Sequence, residues 1–188
     1  MPSTISPTIV YNAGTNKLIT VAAGTPPGRC FWGVDHIYRK NYVDKGLVDA
    51  KVGFANGHVD NPSYKRLLTT WDYSNTVAEV LQISYDPAKL PLREIISFFY
   101  RIHDPTTLNS QGADKGTQYR SAIFYHDASD LAIIEEVTEE YSKKWKAPLV
   151  TKIEPIKNFY DAEDYHQEYL FKNPDGYHCE THYIRDFD

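Results

Sequence analysis

Apolar positions along the chain alternate between two periods, and the changes between them mark the elements. Residues 17–22 (KLITVA) form a short β-type run that the Gly24-Thr25-Pro26-Pro27-Gly28 loop breaks. From Cys30 the spacing changes: Phe31, Val34, Ile37 and Tyr38 fall on one helical face, and the helix is predicted to end near Lys40. Residues 47–54 read as a strand ended by Asn56-Gly57, and a polar loop over 61–75 follows. Alternation returns over 77–85 (VAEVLQISY), a strand that Asp86-Pro87 closes. Residues 92–102 (LREIISFFYRI) are a helix stopped by His103-Asp104-Pro105, and a Gly-containing loop runs over 106–117. A strand is expected over 119–125. Ser129 is placed to cap a helix with the apolar stripe Leu131, Ile134, Val137, Tyr141 and Trp145, and a last strand is expected over 149–154. Beyond Pro155 the chain turns aromatic and irregular, with DAEDYHQEYL (161–170) as its only periodic stretch.

The order β-α-β-β-α-β-α-β predicts an α+β fold, a ferredoxin-like split β-α-β sandwich. Its mixed or antiparallel sheet packs against helices, and a long irregular C-terminal tail follows. With 188 residues and no internal repeat or linker, one domain is expected, its core at about 17–155 and its tail at 156–188. That length can bury a core without disulfides.

Composition narrows the function classes. A net charge of −5 with scattered Lys and Arg gives no basic footprint for nucleic acid. The opening residues lack a basic segment followed by an apolar run, and no stretch reaches membrane-spanning length, so a cytoplasmic protein is expected. The chain has two cysteines, Cys30 and Cys179, far apart in sequence. In a reducing compartment a structural disulfide between them is not expected, and two buried thiols are the plain alternative to chemistry.

Cys30 follows a Pro/Gly turn and opens a helix. The partial positive charge there stabilises a thiolate, and Arg29 adds to it if its side chain turns inward. Phe31 and Trp32 would make an apolar wall beside the sulfur, or simply pack as core. Glu79 sits within an apolar strand, where burial would keep a carboxyl protonated near neutrality; the competing expectation is the polar face of an edge strand. His166, His178, Cys179 and His182 bring possible metal ligands into the tail, at spacings that match no familiar zinc framework.

Cys30-Phe31-Trp32-Gly33 resembles the active-site motif of the A-type peptide methionine sulfoxide reductases. His103-Asp104-Pro105, followed by the run from Gln111 to Ser121 (QGADKGTQYRS), is similar to a second long signature of that family. The stretch 153–183 resembles its C-terminal block, and Asn61-Pro62-Ser63-Tyr64 and Ala78-Glu79-Val80 match shorter segments, so the likeness covers about 17–185. It implies thiol-dependent reduction of methionine S-sulfoxide, free or in proteins. Cys30 is then the nucleophile, Glu79 the acid and Cys179 the resolving thiol. Tyr64 and Tyr119 bind the sulfoxide oxygen, Asp114 is a pocket carboxylate, and Phe31 and Trp32 hold the S-methyl group. The resemblance further implies a sulfenic acid and a disulfide recycled by thioredoxin. No bound cofactor or metal is expected, and the protein is expected to act as a monomer.

The chain departs from the family pattern near the presumed pocket. Arg29 replaces a glycine, the 24–28 loop carries two prolines, Asp35 stands where glutamate is common, and residues 67–76, with Trp71, replace a short Gly-containing segment. Three alternatives therefore stand. The chain could be a family member turned to another sulfoxide or to non-redox chemistry on a small molecule, a scaffold that binds oxidised proteins, or a metal-binding protein.

Overall fold

Five consecutive buried residues, Ile19 to Ala23, place the first strand inside a sheet covered on both faces. The computed structural model describes residues 16–23, 30–58, 62–63, 77–111, 114–115, 120–178 and 182–187, with the backbone alone for Cys30, Ser110, Gln111, Asp114 and Lys115. Strand β1 (Lys17–Ala23) leads to helix α1 (Cys30–Tyr42), β2 (Leu47–Ala55), β3 (Ala78–Tyr85) and helix α2 (Leu92–Ile102). A small hairpin, β4 (Ser110–Gln111) and β5 (Asp114–Lys115), precedes β6 (Ser121–Tyr125), helix α3 (Leu131–Lys144), β7 (Lys152–Pro155), β8 (Phe159–Asp161) and the one-turn helix α4 (Tyr169–Lys172).

The main sheet runs β7-β6-β1-β3-β2-β8. Strand β3 pairs antiparallel with both β1 and β2, so β1-α1-β2 is a β-α-β unit split by β3. Strand β6 is antiparallel to β1, which makes β3-α2-β6 a second split unit, and β7 adds to β6 in parallel. The inner order β6-β1-β3-β2 is the ferredoxin-like arrangement, with one strand added at each edge. Alternation assigns the two faces. Ile19, Val21, Val52, Phe54, Leu81 and Ile83 meet the buried sides of α1, α2 and α3 in the main core. Ala22, Ala55, Ala78, Val80, Ala122 and Phe124 form a smaller cluster on the opposite face.

The expected helix over 92–102 is observed with those bounds, and seven of its residues are buried. Three expectations change. The helix before β7 is not capped by Ser129. Asp127 accepts the Ser129 N–H at 2.9 Å and caps a 3-10 turn over Ala128–Asp130 that leads into α3. The last strand of the expected core begins at Lys152 rather than 149, because the chain before it is tied elsewhere: Val150 N–H donates to Pro105 O at 2.8 Å, and Thr151 Oγ1 meets Ser121 Oγ at 2.8 Å.

The tail is the largest change. Phe159–Asp161 forms β8 on the free edge of β2, where Gly53 leaves room for the Tyr160 carbonyl. Residues 161–170 are not one helix. They pass through a 3-10 turn (Asp164–His166) and then Glu168, which has φ 53°. The cause is Gln167. Its Oε1 accepts Val52 N–H at 2.9 Å, and its Nε2 donates to Val52 O at 2.9 Å and to Ala162 O at 3.1 Å. One side chain thus pairs with β2 as a strand backbone would, and a continuous helix would carry it away. Among the described residues, no helix is long and apolar enough to cross a membrane.

Candidate active site

Cys30 is the first residue of α1, whose first turn carries no acidic side chain to offset its positive end. The residues before it, with Arg29 and Pro26-Pro27, lie outside the described residues. Phe31 follows and points into the core, with its ring centroid 5.8 Å from that of Phe54 on β2.

Phe54 in turn is the register partner of Glu79 on β3. Partners across an antiparallel pair share a face, so Glu79 lies on the helix-covered side, under the helical turn that Cys30 begins. Strand β3 lies between β1 and β2, which excludes an edge-strand position for Glu79. Glu79 is 4% exposed, and among the described residues its buried Oε2 has no hydrogen-bond partner. Desolvation pushes its pKa up to about 8. Burial thus favours the neutral, proton-bearing form of Glu79 near pH 7.

Trp32 is held by the tail. Its Nε1–H donates to His166 Nδ1 at 2.9 Å, and Tyr169 stacks on the indole with centroids 3.5 Å apart and planes at 12°. The His166 ring also lies 5.3 Å from that of Phe31. One helical turn further on, Asp35 pairs with Arg39 Nε at 2.7 Å and accepts the Glu168 N–H at 3.1 Å. Burial outweighs the guanidinium and pushes the Asp35 carboxyl up to about 6.

Asp114 lies on β5, opposite Gln111 of β4. Tyr64, Tyr119, Cys179 and the 67–76 loop with Trp71 lie outside the described residues. Both described flanks of Cys179 pack on α1. His178 meets His36 edge-on, with centroids at 5.9 Å. His182 fits against Gly33, where a Cβ would come within 2.5 Å of its Nδ1. His182 Nε2 also lies 3.1 Å from Ala23 O. The tail histidines are thus spread over separate contacts, and among the described residues no group of three or more His, Cys, Asp or Glu side chains is arranged to hold a metal.

Residues that sequence reasoning missed are mostly ones that hold others. His103, in the His-Asp-Pro motif, is fully buried between Phe99 O (2.7 Å) and Ser121 Oγ (2.8 Å), and burial lowers its pKa to about 3. It ties the end of α2 to β6 as a neutral ring. Asp104 accepts Thr106 N–H and Oγ1–H and shapes the turn that follows. His166, Gln167 and Tyr169 fasten the tail over α1. The available signal was the aromatic content of 165–169, with Tyr165, His166 and Tyr169 among five residues, at odds with a solvated helix.

A family model described as peptide methionine sulfoxide reductase matches residues 19–186. The peptide methionine sulfoxide reductase of Saccharomyces cerevisiae is 54% identical over 192 residues, covering 99% of this chain and 100% of the yeast protein. Mxr1 from S. cerevisiae in its reduced form is a structural neighbour with a TM-score of 0.84 and 53% identity, covering 97% of this chain and 99% of that one. Mxr1 in complex with Trx2 matches with a TM-score of 0.63 and 42% identity, covering 97% of this chain and 99% of that one. The chain belongs to the peptide methionine sulfoxide reductase family.

Proposed function

We propose that the protein reduces methionine S-sulfoxide to methionine, with Cys30 as nucleophile, Glu79 as acid and Cys179 as resolving thiol. The observation that carries this reading is the buried Glu79 carboxyl, whose pKa burial raises to about 8, on the sheet face beneath the turn that Cys30 opens. The Cys30 thiolate attacks the sulfoxide sulfur, and Glu79 donates its proton to the sulfoxide oxygen. Oxygen passes to Cys30, which becomes a sulfenic acid as methionine leaves. The Cys179 thiol then attacks the Cys30 sulfur, releasing water and forming the disulfide. An external dithiol reduces that disulfide and is itself oxidised. Thioredoxin is the proposed dithiol, and the solved complex of yeast Mxr1 with Trx2 supports the assignment. Packing of His178 and His182 on α1, the helix that Cys30 begins, supports the assignment of Cys179 as its partner.

Phe31 and Trp32 are assigned to the S-methyl group, Tyr64 and Tyr119 to the sulfoxide oxygen, and Asp114 is assigned as the pocket carboxylate. Substrates are proposed to be free and protein-bound methionine S-sulfoxide, and the enzyme to act as a cytoplasmic monomer without a bound cofactor. The test is turnover of the separated S and R sulfoxides with thioredoxin as reductant. Reduction of the S form alone is expected. Failure to reduce either form, with Cys30 a free thiol, would direct attention to a different substrate.

A further inference from the structure

We propose that residues 183–187 are a fixed anchor for the resolving thiol, with Arg101 at the end of α2 and Phe187 as positioning residues for disulfide formation. The inference rests on the assignment of Cys179 as the resolving thiol.

The anchor begins with a missing donor. The Arg101 carbonyl lies in the last turn of α2, where a continuing helix would offer it the N–H of residue 105. Residue 105 is a proline and has none. The Arg185 N–H takes that place and donates to Arg101 O at 2.9 Å, while Arg101 Nε–H donates back to Arg185 O at 2.8 Å. The two residues thus exchange hydrogen bonds in both directions, as a hydrogen-bonded pair of an antiparallel ladder does. Arg101 Nη2 also reaches Asp186 at 3.0 Å, but the Asp186 side chain is 84% exposed, so that ion pair adds little. Phe187 then meets Tyr141 edge-on with centroids at 5.7 Å and lies 5.2 Å from Trp145, whose ring the Arg185 guanidinium also covers at 5.5 Å. The end of the chain is therefore bound to α2 through its backbone and to the end of α3 through aromatic packing.

The segment held in this way leads directly to Cys179. His182 packs on Gly33, three residues and about 4.5 Å of helix rise beyond Cys30. Cys179 stands three residues before His182, a span of at most about 11 Å. A docked 182–187 segment therefore confines the second thiol to a small volume around the start of α1. The other flank is held less firmly, since His178 is exposed and meets His36 only edge-on. Without the anchor Cys179 would ride on a free chain end, and its effective concentration at Cys30 would fall. Oxygen transfer to Cys30 makes no use of 183–187, so only the second step should respond.

The experiment follows a single turnover of the full chain with methionine S-sulfoxide and no reductant. It reads the rate of methionine formation and the rate of Cys30–Cys179 disulfide formation. A third rate, capture of the Cys30 sulfenic acid by added mercaptoethanol, is read in a Cys179→Ser background. The second rate divided by the third gives the effective molarity of Cys179. In Arg101→Ala and in Phe187→Ala, methionine formation and external capture should stay parental, while the effective molarity falls about tenfold. A parental effective molarity in either folded variant overturns the anchor. An equal fall in all three rates also overturns it, because that marks general damage to the site. Arg93→Ala removes exposed ion pairs from the same helix and should leave all three rates unchanged; disulfide formation slowed as much there would attribute the effect to α2 alone and overturn the anchor. Phe187 lies near the chain end and is half-buried, so its variant decides the matter if Arg101→Ala does not fold. If the parent forms methionine but no disulfide, the assignment of Cys179 fails and the anchor falls with it.

Discussion

Replacing Glu79 with glutamine should weaken catalysis and, at alkaline pH, strengthen the fold. The folded carboxyl has a pKa of about 8 because it is desolvated, against 4.5 for an ordinary glutamate. Between those values the unfolded chain ionises and the folded protein does not, so the parent loses stability as pH rises through the window. From pH 5 to pH 8 the loss is roughly 3 kcal/mol at about 1.4 kcal/mol per unit. Glutamine does not titrate, and its fixed cost of burying an amide cancels when the two pH values are compared. The melting temperature of Glu79→Gln, measured against the parent, should therefore rise by about 6–12 °C between pH 5 and pH 8 for a chain of this size. The first-turnover rate should fall about 10²-fold or more, since the amide keeps the shape but has no proton to give. In the parent the same rate should fall as pH rises through about 8 and the acid ionises. A pH-independent difference in melting temperature would refute the buried neutral carboxyl. A parental first-turnover rate would remove Glu79 from the chemistry.

Two further substitutions test the packing around the site. Asp35→Ala leaves the Arg39 guanidinium without its buried partner and the Glu168 N–H without its acceptor, and should cost about 3 kcal/mol in urea denaturation; a loss below about 0.5 kcal/mol would mark the pair as dispensable. Gly33→Ala places a methyl 2.5 Å from His182 Nδ1 and should lower stability by about 1–3 kcal/mol while opening 182–187 to proteolysis. Unchanged stability together with unchanged cleavage would contradict that contact.

Local signals carried much of the fold. Alternation over 77–85 and the apolar face of 92–102 place β3 and α2 within a residue, because both elements bury one regular face against the core. The polar exception within β3, Glu79, was not settled by that pattern: alternation alone favoured the polar face of an edge strand, and the central place of β3 overturned it. Other features depend on partners remote in the chain. Gln167 reads as one more polar residue in a helical stretch until β2 arrives 115 residues away to pair with its amide. The Trp32–His166 bond spans 134 positions, and neither residue predicts the other. Ser129 and Asp127 are equally competent caps by type, and only the path out of β6 selects Asp127. The role proposed for Cys30 came from family resemblance, since a thiol followed by two aromatic residues reads equally well as core.

The central claim is that Cys30 removes oxygen from sulfur. It is tested most directly in a Cys179→Ser protein mixed with excess methionine S-sulfoxide and no reductant. One methionine should form per chain, with a gain of one oxygen at Cys30 that a dimedone-type probe captures; the same protein carrying Cys30→Ser should form none. Methionine formation in the Cys30→Ser protein, or oxygen recovered at another residue, would contradict the account.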